Sequence, residues 1–159
     1  MQNKSKVFIG IDPGLKGAVG IIDEHGILIE VVDTPVLSVG KKNDYQVIEM
    51  VKIFEPYKDK ISKAVLEKVH SMPKQGVVSS FNFGKGFGIW QGILSALKIP
   101  YDLVTPQRWK GQMMDGMGKE KDASRLRAQQ LFPEAELNKK KHVDRAEALL
   151  MAEFLRRKG

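Results

Sequence analysis

The chain has no cysteine. Disulfides and thiolate metal sites are therefore excluded, which suits a reducing cytoplasm. No apolar run approaches the ~18 residues of a membrane helix. The stretch after Lys4 and Lys6 is broken by Gly10 and Asp12, so it does not read as a signal peptide. Repeats and low-complexity tracts are missing too. Acid is the scarcer charge: 19 Asp and Glu stand against 26 Lys and Arg, a formal net charge of +7. That balance attracts polyanions, nucleic acid first. At 159 residues, 42% hydrophobic and 28% charged, the chain is expected to be one globular domain spanning residues 1–159.

What is present begins with "VFIGIDPGLKGAVGIID" at residues 7–23. β-rich apolar runs predict strands over 6–12, 17–23 and 27–33, joined by short turns into an antiparallel meander. Residues 34–42, with Pro35 and Gly40, read as a loop. Tyr45, Ile48, Val51, Phe54 and Tyr57 recur at helical spacing and predict an amphipathic helix over 44–57, capped by Asn43 or Asp44. "KAVLEKV" at 63–69 is a fourth strand, and its connection is long enough for a crossover.

The Gly-, Ser- and Phe-rich stretch from residue 70 starts as a loop, and a helix then carries Trp90, Ile93, Leu94 and Leu97. A fifth strand over 101–105 stops at Pro106. "GQMMDGMG" at 111–118 reads as a mobile loop, 119–132 as a basic helix and 142–157 as the last helix. The order predicts an α/β fold with a mixed five-stranded sheet, three strands in a meander and the others parallel, flanked by helices.

Four acids stand out. Asp12 closes a run buried on both faces, where a carboxylate is costly unless paired or bound to a cation; it equally fits a strand end that starts the Pro13-Gly14 turn. Glu67 lies late in a strand expected to be central, with little solvent face to offer, although simple alternation would turn it outward. Asp144 and Glu147, three residues apart on a helix, share one face, and Asp144 alone also suits a helix N-terminus. Clustered, the four would repel one another unless a dication neutralised them, and hard oxygen ligands suit Mg²⁺ or Mn²⁺. Two such ions about 4 Å apart can hold the attacking water and the leaving oxygen of a phosphodiester. His142, His70 and Ser71 are accessory candidates, with His142 a further candidate ligand.

"IGIDPGLKGAVGIID", "VLEKVHSMP", "TPQRWK" and "HVDRAEALLMAEF" together resemble the RuvC-type Holliday junction resolvases, most closely the small bacteriophage versions. The resemblance runs in order over nearly the whole chain. It implies an RNase H-like fold and a homodimer gripping a four-way junction in the cytoplasm of a bacterial host. Each subunit would nick one strand by metal-assisted hydrolysis, leaving a 5′-phosphate and a 3′-hydroxyl. The family's catalytic, metal-binding acids fall on Asp12, Glu67, Asp144 and Glu147. In two places the chain departs from the bacterial pattern: Glu147 stands where those enzymes usually have Asp, and His70 where they carry an aromatic.

Phosphate contacts need Lys and Arg on one face. Lys74, Lys85, Arg108, Lys110, Lys119, Lys121 and the run Lys139-Lys140-Lys141 are candidates, each also readable as a solvated surface cation. Phe81 and Phe83, set among glycines, could wedge into distorted DNA or serve a dimer interface or core. Phe87 and Trp90 read as core or interface, and Met113, Met114 and Met117 as part of a loop that orders on DNA. Rival readings are a nuclease of the same fold acting on forks, flaps or RNA–DNA hybrids, and a junction-binding protein without catalysis. An actin-like or sugar-kinase ATPase needs a duplicated domain, for which the chain is too short.

Overall fold

The computed structural model describes residues 5–68 and 73–158. Strands β1 (Val7–Asp12), β2 (Ala18–Asp23) and β3 (Leu28–Asp33) form the expected antiparallel meander. Next comes a separate two-stranded hairpin, β4 (Val36–Val39) and β5 (Lys42–Tyr45), with Gly40 at φ 62° in its two-residue turn. Helix α1 (Val47–Lys52) follows, then one 3₁₀ turn at Glu55–Tyr57. Strand β6 (Ile61–Glu67) leads to helix α2 (Val77–Ala96), strand β7 (Tyr101–Val104) and helices α3 (Pro106–Met113), α4 (Ala123–Leu131) and α5 (Val143–Lys158). The main sheet has the order β3-β2-β1-β6-β7, with β1, β6 and β7 parallel.

Three expectations need correction. Residues 34–57 are a hairpin and a short helix, because Asn43, Asp44 and Tyr45 pair with β4. Neither Asn43 nor Asp44 caps a helix; Gln46 holds that position and its side chain makes no capping hydrogen bond. Pro56 lies in the 3₁₀ turn, where a missing N–H and a bulky ring prevent a continuous helix. The Gly- and Phe-rich segment from residue 77 is helical despite Gly84, Gly86 and Gly88, because tertiary packing overrides weak propensity. A Cβ on Gly86 would lie 2.3 Å from the Tyr45 hydroxyl, which donates to the Asn82 carbonyl at 2.8 Å. Finally, Met113 ends α3 inside the core and Met114 packs against it, so neither belongs to a mobile loop.

Successive side chains of a strand point to opposite faces. Val7, Ile9 and Ile11 of β1, with Ala64 and Leu66 of β6, pack with Phe54, Trp90 and Leu94 on the α1–α2 side. Val65 points the other way, into a core built with Trp109, Phe132, Leu149 and Leu150 on the α3–α5 side. Trp90 is thus a core residue, and Phe87 packs beside it.

On the α5 side, Gly10 and Gly20 sit opposite each other in register. A Cβ on Gly10 would fall 2.1 Å from the Ala148 carbonyl oxygen, and one on Gly20 would fall 2.8 Å from the Leu149 nitrogen. The two glycines open a groove across β1 and β2 into which the α5 backbone settles. Among the described residues, no helix is long and apolar enough to cross a membrane.

Candidate metal centre

The alternation that sorts the core also aims the acids. Asp12 shares the face of Gly10, and Glu67 the face of Val65, so both strand ends turn their carboxylates toward α5. The close seat of α5 on the two glycines carries Asp144 and Glu147, one turn apart, over the same spot. Asp12, Glu67 and Glu147 each bring one carboxylate oxygen within 4.8 Å of the other two. Asp144 stands beside this trio, close enough that it raises the Asp12 carboxyl and is itself lowered by it.

Each carboxyl is held above its ordinary range. Burial is the main cause at Asp12, reinforced by Glu67, Glu147 and Asp144, and its pKa lies well above the usual value. Burial raises Asp144 also, while the neighbouring Asp12 carboxyl and the charges of Lys121 and Lys16 pull it back. Glu67 is raised by burial, against the lowering effect of a hydrogen bond from the Trp109 indole at 2.7 Å. Glu147 is raised by burial, against the Lys110 ammonium at 3.5 Å and the Ser124 hydroxyl. Asp12 Oδ2 is buried with no hydrogen-bond partner among the described residues. An unmatched, oxygen-only cluster with an orphaned buried oxygen fits a hard divalent cation.

The turn after β1 keeps the site open. A Cβ on Gly17 would lie 1.9 Å from the Asp12 carbonyl oxygen, and Gly14 adopts φ 115°. Only glycine meets both demands without strain. The four acids line a cleft of about 500 Å³ with Lys16, Asn82 and Phe83. Past Lys16 and Asp144 it continues into a groove of about 820 Å³ lined by Lys121, Lys140 and Lys141.

The remaining candidates are scattered. Lys110 reaches Glu147, Lys121 lines the groove, and the Phe83 ring lies over Gly14 at the mouth of the cleft. Phe81 does not line the cleft and is 68% exposed. Lys85 is paired with Asp44 at 2.5 Å, and Lys74 and Lys119 are exposed outside both hollows. Arg108 does not face the acids; it borders a shallow depression with Asp102, Phe154 and Lys158.

His142 is not brought to the cluster. It is buried in the 3₁₀ turn before α5, where its Nδ1 accepts from the Lys139 backbone N–H at 3.2 Å. His70 and Ser71 lie outside the described residues. Sequence reasoning missed Trp109, Lys16, Ser124 and the paired Gly10 and Gly20. A signal existed for Lys16, which sits between the two glycines of the site turn, and for Trp109, inside "TPQRWK".

No family model matches the chain, and no curated protein does. Solved structures do match. A Thermus thermophilus RuvC in complex with Holliday junction substrate aligns with a TM-score of 0.64 at 17% identity, covering 94% of this chain and 92% of that one. Another T. thermophilus RuvC structure aligns with a TM-score of 0.60 at 15% identity, covering 96% of each chain. The chain has a RuvC-type, RNase H-like fold.

Proposed function

We propose that the chain is a metal-dependent endodeoxyribonuclease that resolves four-way (Holliday) or other branched DNA, with a homodimer making paired nicks. The observation that carries this reading is the convergence of Asp12, Glu67 and Glu147 within 4.8 Å at the base of an open cleft on a RuvC-type fold. Asp12, Glu67 and Glu147 would hold Mg²⁺, or Mn²⁺ in its place, with Asp144 the further ligand for a second ion. When bound, such ions supply charge neutralisation at the phosphodiester and a more acidic water.

The chain's own groups do the rest. Lys110 beside Glu147 and Lys16 near Asp144 place positive charge where a phosphate in the cleft gains negative charge. Lys121, Lys140 and Lys141 line the adjoining groove among Asp33, Glu120 and Asp122, and would contact the backbone of a strand laid there. Phe83 offers its ring at the mouth of the cleft to an unstacked base. Phe81, Lys74, Lys85, Arg108 and Lys119 lie farther out and would meet the arms of the junction or the partner subunit.

Support for the dimer comes from α2. Its exposed side carries Val77, Val78 and Phe81, and Gly84, Gly88 and Gly92 open onto free space. Such a face allows close approach by a second copy.

The test is to incubate the protein with labelled four-way, forked, linear and RNA–DNA hybrid substrates, with and without Mg²⁺ or Mn²⁺. The expected result is dication-dependent cutting of the four-way junction at paired positions. Equal cutting of linear duplex would sink the resolvase reading, and preference for forks or hybrids would move the chain to another nuclease of this fold. Binding without cutting would make it a junction-binding protein. A monomer at working concentration would remove paired nicking.

A further inference from the structure

We propose that Trp109 is a positioning residue for the metal centre, its indole N–H holding one oxygen of Glu67 and so fixing the orientation of that carboxylate. The inference rests on reading Asp12, Glu67 and Glu147 as metal ligands.

A glutamate at the end of a strand has three side-chain torsions and no reason of its own to point one way. Here the fold supplies the reason. Val104 of β7 lies in register with Glu67, and α3 starts immediately after it. Thr105 caps that helix by accepting from the Arg108 backbone N–H, and Pro106 fixes its first turn. Trp109 therefore hangs directly over Glu67. It is fully buried among Val65, Val104 and Met113, so the ring has no freedom to swing away. Its Nε1 can only donate, and it donates to Glu67 Oε2 at 2.7 Å.

The next residue extends the same device. The Lys110 ammonium stands 5.3 Å from the centre of the Trp109 ring and 3.5 Å from Glu147 Oε1. One turn of α3 thus touches both glutamates, one through a rigid neutral donor and the other through a flexible cation. Trp90 supplies the contrast, because its buried indole N–H has no partner among the described residues. A satisfied indole is not a general demand of this core, and the one that is satisfied points at the cluster. Groups that hold a ligand side chain in this way typically govern metal affinity.

The sequence holds two tryptophans, so the ¹⁵N-labelled parent gives two indole signals, assigned by their loss in Trp109→Phe and Trp90→Phe. Titrating the parent with Mg²⁺ should move the Trp109 signal and leave that of Trp90 in place. Trp109→Phe, which keeps an aromatic ring but loses the donor, should bind Mn²⁺ about 10–100-fold more weakly. Its binding of a four-way junction in metal-free buffer should not change. An unmoved Trp109 signal in a parent that binds Mg²⁺ overturns the proposal and leaves the metal reading intact. Unchanged Mn²⁺ affinity in Trp109→Phe does the same. If that variant does not fold, the parent's spectrum decides. A parent that takes up no dication overturns the metal reading and the proposal with it.

Discussion

Helix α5 buries acids near both of its ends, and the two ends are electrostatic opposites. Toward the C-terminus, Glu153 is 4% exposed and accepts from Arg156 at 2.8 and 2.6 Å and from Arg157 at 2.9 Å. Burial pushes its pKa up, but the two arginines more than offset this, and it lies below the ordinary value. Toward the N-terminus, Asp144 and Glu147 meet Asp12 and Glu67 with too little positive charge to match them, and all four lie above their ordinary values. Burial alone therefore does not distinguish a structural carboxylate from a functional one. Glu153 finds its cations on its own helix, one turn away. The four acids at the other end lack such matching cations, and on the proposed reading a dication from solution supplies the charge.

The sharpest way to break this comparison is to remove charge at each end and measure cutting. Glu67→Gln and Glu147→Gln should each lower single-turnover junction cleavage on the order of 10³-fold, about 4 kcal/mol of transition-state stabilisation. Glu153→Gln should leave the cutting rate of folded protein unchanged. Comparable losses at both ends would erase the distinction.

Thermal melting should give the reverse pattern. Glu153→Gln deprives two arginines of a buried partner and should cost about 1–3 kcal/mol at pH 7. Because the folded pKa of Glu153 is lowered, the parent's advantage should be present above the ordinary value of 4.5 and fade as the pH falls through the folded pKa.

A smaller effect of opposite sign is expected from Asp12→Asn in metal-free buffer. A group with a raised folded pKa contributes stability below its ordinary value of 3.8 and loses it as pH rises through the folded pKa. The asparagine escapes that loss. It should therefore be more stable than the parent at pH 7 by about 1–2 kcal/mol, roughly 2–8 °C in Tm, with the gap closing toward pH 4.

The smallest expected effect concerns DNA affinity. Lys141→Ala, in the groove beside the N-terminal end of α5, should weaken junction binding and reduce the salt slope by about 1. Lys158→Ala, at the far end and stacked over Phe154 at 4.6 Å, should change neither.

Much of this was legible in the sequence where one residue's setting was local. Asp12 closes a β-rich apolar run, and Asp144 and Glu147 share a helical face by spacing alone. The apolar runs of β1, β2 and β6 are legible because those strands are buried on both sides of the sheet. The failures came where distant groups decide. Tyr45 is drawn into a hairpin and onto α2 by contacts 37 residues away, which no local pattern encodes. The helix through Gly84, Gly86 and Gly88 is stabilised by packing that overrides its composition. His142 resembled a ligand by type and position, yet its ring nitrogen serves the backbone of its own turn. Nothing local singles out Trp109 as a partner of Glu67, because that contact depends on the pairing of β6 with β7.

The most direct test is single-turnover cleavage of a four-way junction already bound in metal-free buffer, started by adding Mg²⁺, with the parent and Asp12→Asn side by side. The account predicts equal binding by both proteins, paired cuts by the parent only after Mg²⁺ is added, and no cutting by the variant. Cutting by Asp12→Asn at the parent's rate, or by the parent in the presence of a chelator, would contradict it.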